Sequence, residues 1–503
     1  GKSAVKPPGR KLGNQTPLIA GVLLLSLLLR WILIFRGGQY YISDETRYMA
    51  SQEAARLILG GKFGQAFSQL ATSPEHIGFK VMGIVPALLE HLTGPSLVMP
   101  AMFFSLFSVL NLFLIFLLAR RVSRGDSNAP LYALVLAAAC LSLLYYARHL
   151  FPYDLSMSFG LLAAYIGMAE SQTVKHSLAC GIFSFLCFVT YNGYWPLASF
   201  AMLVHLLTGD KTMTRMFQKA IFTGAGFVTP FVLLIGAGFL AGVDMVSAYR
   251  LFSQSITQGN FEEGWSLPFA YFWYIEHTII IILGALALLA VLNIFKGAGR
   301  YTSLWLAGLL FVYVCLVVPS VFLHHFVVYG RLARQMMPFL ILLSAEGLAS
   351  LEQRVPLGKG IIGVIMAVIF VQAAWNFTES YNLAYPREFV AEAQARFPKF
   401  EFSSKRFAFG APVICQNNGF LMENAKYYVD PPEEIPQVHG QLLMSALHPS
   451  NFRPYQYDGD PPTTRRAFDQ LKLRMKFYKA DQAFISEENS ARRTIKNCMI
   501  GEK

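Results

Sequence analysis

The sequence predicts an α-helical polytopic membrane protein with a C-terminal α+β domain outside the bilayer. Three observations predict it. Of 503 residues, 54% are hydrophobic and only 14% are charged, against roughly 25% charged in soluble domains, so most of the chain has no water-facing surface to cover. Long apolar runs recur as far as residue 375, many of them near the ~20 residues that cross a hydrocarbon core. The basic residues gather at alternate ends of those runs, as cytoplasmic loops require.

The runs suggest about eleven spans, at 17–35, 97–118, 130–146, 155–168, 177–189, 196–207, 220–241, 278–295, 303–318, 336–349 and 360–374. The first is long and has no small-residue cleavage site after it, so it reads as a retained helix rather than a signal peptide. Arg30, near its outer end, is expected to snorkel. One set of ends carries Lys2, Lys6, Arg10 and Lys11; Arg120, Arg121 and Arg124; Lys175; Lys211, Arg215 and Lys219; Lys296 and Arg300; Arg354 and Lys359. These ends are expected in the cytoplasm, with the N-terminus inside and the C-terminus outside a cell (inner) membrane. Such orientation charges account for most of the net +12. Nucleic acid is the poorest partner, because no basic face gathers on one soluble domain.

The outer loops are richer in aromatic and acidic residues. The first, 36–96, is the longest. It holds helical patterns at about 45–59 and 80–92, broken at 60–62 and at Ser73-Pro74, and suits short amphipathic helices lying in the interface. Residues 1–375 form the membrane domain and 376–503, mixed and charged, a second domain long enough to fold alone. In the latter, 407–415 reads as strand and 465–479 as helix. Cys140, Cys180, Cys187 and Cys315 sit in apolar runs and read as core. Cys415 and Cys498 could pair if their domain is outside the cytoplasm. Asn376-Phe377-Thr378 has the form of a glycosylation triplet, one that also arises by chance.

Three clusters could carry chemistry. The strongest is Ile42-Ser43-Asp44-Glu45-Thr46-Arg47-Tyr48, just beyond the first span. Ser43 or Asp44 can simply cap the next helix; alternatively, a carboxylate held there can take a proton from an incoming hydroxyl. The second is Arg148-His149-Leu150-Phe151-Pro152-Tyr153-Asp154, either a solvated turn with a local ion pair or a second wall of the same outer cavity. The third is Gly330-Arg331-Leu332-Ala333-Arg334-Gln335-Met336-Met337-Pro338. Arg331 and Arg334 can share a helix face and grip a phosphate, or they snorkel to headgroups. Lys80, closing His76-Ile77-Gly78-Phe79-Lys80, can meet a phosphate or a lipid headgroup. Tyr271, Trp273 and Tyr274 read as an interfacial belt. No Walker motif, Rossmann fingerprint, Ser-His-Asp spacing or HExxH is present, which argues against an ATP-driven pump and against a nucleotide-sugar enzyme.

Together these clusters resemble the GT-C glycosyltransferase superfamily, in the branch of protein O-mannosyltransferases and the lipid A aminoarabinose transferase. The likeness rests on Asp44-Glu45 after the first span with Arg47 and Tyr48 following, on Arg148 and Asp154 bracketing the next outer loop, and on the Arg331 to Pro338 helix entry. It covers roughly residues 15–375. The family's His-Pro-Pro or Lys-Pro-Pro stretch is absent: here the loop reads His76-Ile77-Gly78-Phe79-Lys80, so a role for His76 or Lys80 does not carry over. The resemblance implies a polyprenyl-phosphate sugar donor used outside the cytoplasm, with a lipid, glycan or protein acceptor. Asp44 would be the base; Glu45, Tyr48 and Asp154 would line the acceptor cavity; Arg331, Arg334, Arg148 and Lys80 would hold the donor phosphate. A divalent metal is possible in this superfamily, and Asp44 with Asp154 does not decide it. The rival classes are a lipid or glycan flippase without transferase chemistry and a non-catalytic assembly scaffold.

Overall fold

The computed structural model describes residues 15–40, 43–123, 127–257, 265–294, 300–323 and 330–383, a few positions between 385 and 396, and four strands beyond. The chain divides into two units, one of Gly1–Phe35 with Thr46–Asn376 and one of Arg36–Glu45 with Phe377–Lys503.

The first unit is helical. Its helices are α1 (Thr16–Arg36), α2 (Tyr48–Leu59), α3 (Phe63–Thr72), α4 (Ile77–Met82), α5 (Ile84–Thr93), α6 (Val98–Val122), α7 (Ala129–Ala139), α8 (Leu141–Leu144), α9 (Tyr153–Gly167), α10 (Val174–Thr190), α11 (Trp195–Leu207), α12 (Met213–Leu240), α13 (Met245–Thr257), α14 (Leu267–Glu276), α15 (Thr278–Ile294), α16 (Arg300–Val321), α17 (Gly330–Ala333), α18 (Met337–Arg354) and α19 (Gly358–Tyr381). All eleven predicted runs fall on helices. Among the described residues, α1, α6, α12, α16 and α19 are each long and apolar enough to cross a bilayer, and two bent pairs raise five to seven. The chain is a multi-pass membrane protein. The expected count of about eleven is not carried by length: α9, α10 and α11 have 15, 17 and 13 residues, a rise of about 20–26 Å. They lie within the bundle, where α10 packs on α9 and α12. A Cβ on Gly181 would stand 2.1 Å from the Thr223 carbonyl oxygen, and one on Gly226 2.3 Å from that of Leu178. The two helix backbones therefore touch, the close approach that small residues permit in membranes.

The run predicted as one span at 130–146 is broken. The chain bends by 75° between Ala129–Ala139 and Leu141–Arg148, and by 118° between α14 and α15. A break inside a membrane frees backbone groups that cost several kcal/mol each unless paired. Here distant side chains pair them. The Glu276 carboxylate accepts from the N–H groups of Leu141 (3.0 Å) and Ser142 (2.8 Å). Arg334 Nε donates to the Ser142 carbonyl (3.1 Å) and Arg30 Nη2 to that of Leu143 (3.0 Å). Arg30 therefore does not snorkel: it is buried and also donates to Ser108 Oγ at 2.8 Å. Tyr271 is likewise buried rather than in an interfacial belt, its hydroxyl 3.0 Å from that of Tyr146. Asn376 is buried inside α19, its Oδ1 accepting from Gln372 Nε2, so the 376–378 triplet is no glycosylation acceptor.

The first outer loop folds as expected at its breaks, with Gly60 ending α2 and Ser73 ending α3; α3 itself was not predicted. In the second unit, Gly38 N–H donates to Glu388 Oε1 at 3.2 Å, and Gly38 has φ +101° with the Tyr385 ring 2.7 Å from where a Cβ would stand, so only glycine fits. Strands β1 (Val413–Asn417), β2 (Phe420–Asn424), β3 (Gly440–Leu447) and β4 (Arg474–Ala480) make one antiparallel sheet in the order β1-β2-β4-β3. The predicted strand at 407–415 overlaps β1. The predicted helix at 465–479 is overturned where it is described: 474–480 is strand, and its alternation of charged and apolar residues from Arg474 to Phe477 has period two, not 3.6. Residues 465–473, Cys498, His324 and His325 lie outside the described residues, as does the Cys415 side chain.

Candidate active site

The outer loop enters the bundle through a 3-10 turn, Ser43–Arg47, that runs directly into α2. The cap position of α2 is Arg47, without a side-chain cap bond. Asp44 is half-buried and Glu45 buried. Tyr48 is committed to packing: its hydroxyl donates to Glu90 Oε2 at 2.9 Å and its ring meets Phe104 edge-on. That bond ties α2 to α5.

Ser73-Pro74 then breaks the chain, and His76 enters α4 in the left-handed conformation at φ +56°. Non-glycine residues rarely adopt it, so packing must enforce it. His76 is 3% exposed, with its ring centroid 5.0 Å from Tyr191 and 5.9 Å from Phe252. Its Nδ1 has no hydrogen-bond partner among the described residues. Burial pushes the imidazole well below its ordinary value, and the charges of Arg47, Lys80 and Arg331 push the same way. One turn later Lys80 is 2% exposed. Its Nζ donates to the Ser73 carbonyl (2.7 Å) and Oγ (2.9 Å) and pairs with Glu75 at 3.3 Å. Burial lowers its pKa and Glu75 opposes the shift.

Arg331 arrives from α17. Its Nη1 donates to the Tyr153 hydroxyl at 3.0 Å, and Tyr194 holds its carbonyl at 3.0 Å. Tyr153 packs on Tyr191, at 4.8 Å between centroids, and Tyr191 on His76. An aromatic chain thus connects α17 to the first outer loop. Gly330 permits the approach, since a Cβ there would stand 2.1 Å from the Tyr271 ring.

Beneath lies a second group. Arg334, with no exposed surface, pairs with Asp154 through Nη2 at 2.6 Å and lies 4.7 Å over the Tyr146 ring. Asp154 opens α9, and its carbonyl accepts from Asn111 Nδ2 at 3.0 Å. Arg148 is fully buried at the end of a 3-10 turn, Tyr145–Arg148.

The structure thus separates residues that the sequence grouped. Lys80 bonds Ser73 and Glu75, Arg331 bonds Tyr153, and their charges act on His76 together with that of Arg47, whereas Arg334 and Asp154 pair with each other and Tyr48 turns to Glu90. The sequence reading named Arg47 as part of the resemblance but assigned it no role. Arg30 had a usable signal, since a lone charge within a span marks a buried partner. Among the described residues no group of three His, Cys, Asp or Glu side chains stands together to hold a metal.

No family model matches the chain, and no curated protein matches it. Two crystal structures are similar to it. One is ArnT from Cupriavidus metallidurans in the apo state, with a TM-score of 0.48 at 13% identity over 70% of this chain; the chain spans 63% of that protein's length. The other is ArnT from Cupriavidus metallidurans bound to undecaprenyl phosphate, again with a TM-score of 0.48 at 13% identity, covering 76% of this chain and 73% of that one.

Proposed function

We propose that this chain is an integral membrane glycosyltransferase of the GT-C type, moving a sugar from a polyprenyl-phosphate donor to an acceptor hydroxyl outside the cytoplasm. The observation that carries the reading is that the charges of Arg47, Lys80 and Arg331, from three separated segments, all act on one buried imidazole, His76. Three cations brought together where the first outer loop meets the bundle suit an anion that carries its own lipid anchor. The phosphate stays at the surface while the tail remains in the bilayer.

In this reading the Asp44 carboxylate takes the proton of the acceptor hydroxyl. The acceptor oxygen attacks the anomeric carbon from the face opposite the phosphate, the bond from that carbon to the phosphate oxygen breaks, and the configuration inverts. The electron pair leaves with the lipid phosphate, and Arg331, Lys80 and Arg47 stabilise the growing charge. Preorganised donors aimed at developing charge act most strongly where water is excluded. The ionised donor supplies the leaving group, in keeping with the missing ATP motif. Arg334 acts through Asp154 and the Ser142 carbonyl as a positioning residue. The C-terminal unit, expected on the outer side, is the candidate for acceptor choice.

The test is Asp44→Asn in proteoliposomes supplied with a labelled polyprenyl-phosphate sugar and candidate acceptors. Transfer should fall by roughly 10²–10⁴-fold, the worth of a general base, while the unfolding midpoint and undecaprenyl phosphate binding hold. Undiminished transfer would remove the base assignment. A wild-type protein that moves the lipid across the bilayer without cleaving it would instead establish the flippase reading.

A further inference from the structure

His76 has no part in the transfer step above, yet its placement is costly on three counts. Its backbone is left-handed at φ +56°. A buried polar atom without a partner loses its hydration uncompensated, and Nδ1 is such an atom among the described residues. Three positive charges act on the ring, Arg47 from the 3-10 turn, Lys80 from α4 and Arg331 from α17. Among the described residues, the rings of Tyr191 after α10 and Phe252 from α13 pack on it; Glu75, one residue before it, pairs with Lys80. A neutral imidazole in that position has a definite response to an anion. A phosphate among the three cations cancels the field that keeps the ring neutral and offers Nδ1 the acceptor it lacks.

The reaction changes that anion's charge. The donor is a phosphodiester with one negative charge. The leaving lipid phosphate is a monoester with a second ionisation near neutrality, so the charge at the cluster rises on transfer.

We infer that His76 is a phosphate-binding residue that takes up a proton from solvent when the lipid phosphate monoester occupies the cluster, so that this product, unlike the diester donor, binds with proton uptake. The inference rests on the proposed function and names what holds the leaving group. The imidazolium then adds a charge-assisted hydrogen bond to the product, and release of the product returns the proton to solvent. Product hold-up in acid follows: transfer limited by product release slows as the pH falls.

The experiment is calorimetric titration of the full-length protein in detergent with undecaprenyl phosphate near pH 7, in two buffers of different ionisation enthalpy. The difference in heat reads proton uptake per site. Wild type should take up a fraction of a proton that His76→Gln largely loses, with affinity for the monoester falling about tenfold. Undecaprenyl phosphate methyl ester, a diester stand-in for the donor, should bind both proteins with little uptake. His76→Asn serves as a second variant, since asparagine also tolerates the left-handed backbone. Equal uptake in wild type and both variants would overturn the inference while leaving the proposed function intact. Failure of the wild type to bind undecaprenyl phosphate at all would overturn the proposed function itself.

Discussion

Two groups of charged side chains lie close together in the bundle and behave differently. The lower one, Arg30, Arg334, Asp154 and Glu276, is buried throughout and is knit by bonds of 2.6 to 3.1 Å between its own members and the broken backbone at 141–143. It has two positive and two negative members. The upper one comprises Arg47, Lys80 and Arg331; burial, and then their charges, push the His76 imidazole well below its ordinary value. The lower group answers the demand of a broken helix for partners. The upper group includes a left-handed backbone and a nitrogen without a hydrogen-bond partner among the described residues, both at His76. In the proposed reading, charge that stabilises the fold and charge that meets the lipid phosphate differ in their bonded partners rather than in residue type or sequence spacing: Arg331 and Arg334 stand three residues apart in one motif, one bonded to Tyr153 and the other to Asp154.

Substituting the two arginines separates the groups. Arg334→Met should cost about 3–5 kcal/mol, because it strands Asp154 as an uncompensated buried charge; the unfolding midpoint in detergent reads it, and Arg334→Met combined with Asp154→Leu should recover much of the loss. Arg331→Ala should leave the midpoint within about 1 kcal/mol but lower transfer by roughly 10²–10³-fold, the range for removing one donor to developing charge. Were Arg331→Ala to unfold the protein and Arg334→Met to spare it, the division between the groups would be reversed.

The smallest effect is on pH dependence. His76 is depressed in the folded state, so below its ordinary value of 6.5 the unfolded chain binds the proton that the folded chain refuses. Stability should therefore fall with pH below about 6.5, by up to about 1.4 kcal/mol per unit. The unfolding midpoint measured from pH 7 to pH 5 should drop more steeply for wild type than for His76→Gln. Equal slopes would mean that the ring does not stay neutral in the folded state.

The helices were legible because apolar runs are the strongest signal a membrane chain carries. The breaks were not. What terminates α7 at Cys140 is Glu276, 135 residues away in sequence from Leu141, together with Arg334, 192 residues from Ser142, and no local pattern announces such partners. Length alone carries five to seven spans among the described residues, because helices such as α11, with 13 residues, are too short to be counted on that criterion. In the candidate site, Asp44 stood out as an acid at the exit of the first span. Lys80 and Arg331 were named but grouped with Arg334 and Arg148, since spacing alone cannot tell an arginine facing Tyr153 from one buried against Asp154. His76 was left in doubt for want of a proline pair, and its left-handed backbone has no signature in the residues around it.

A cryo-electron-microscopy map of the protein with undecaprenyl phosphate bound tests the central claim most directly. The account predicts phosphate density within hydrogen-bonding reach of Lys80 and Arg331, against the His76 ring, with the prenyl tail leaving into the bilayer. Phosphate density bound elsewhere on the protein, with the three cations around His76 vacant, would contradict it.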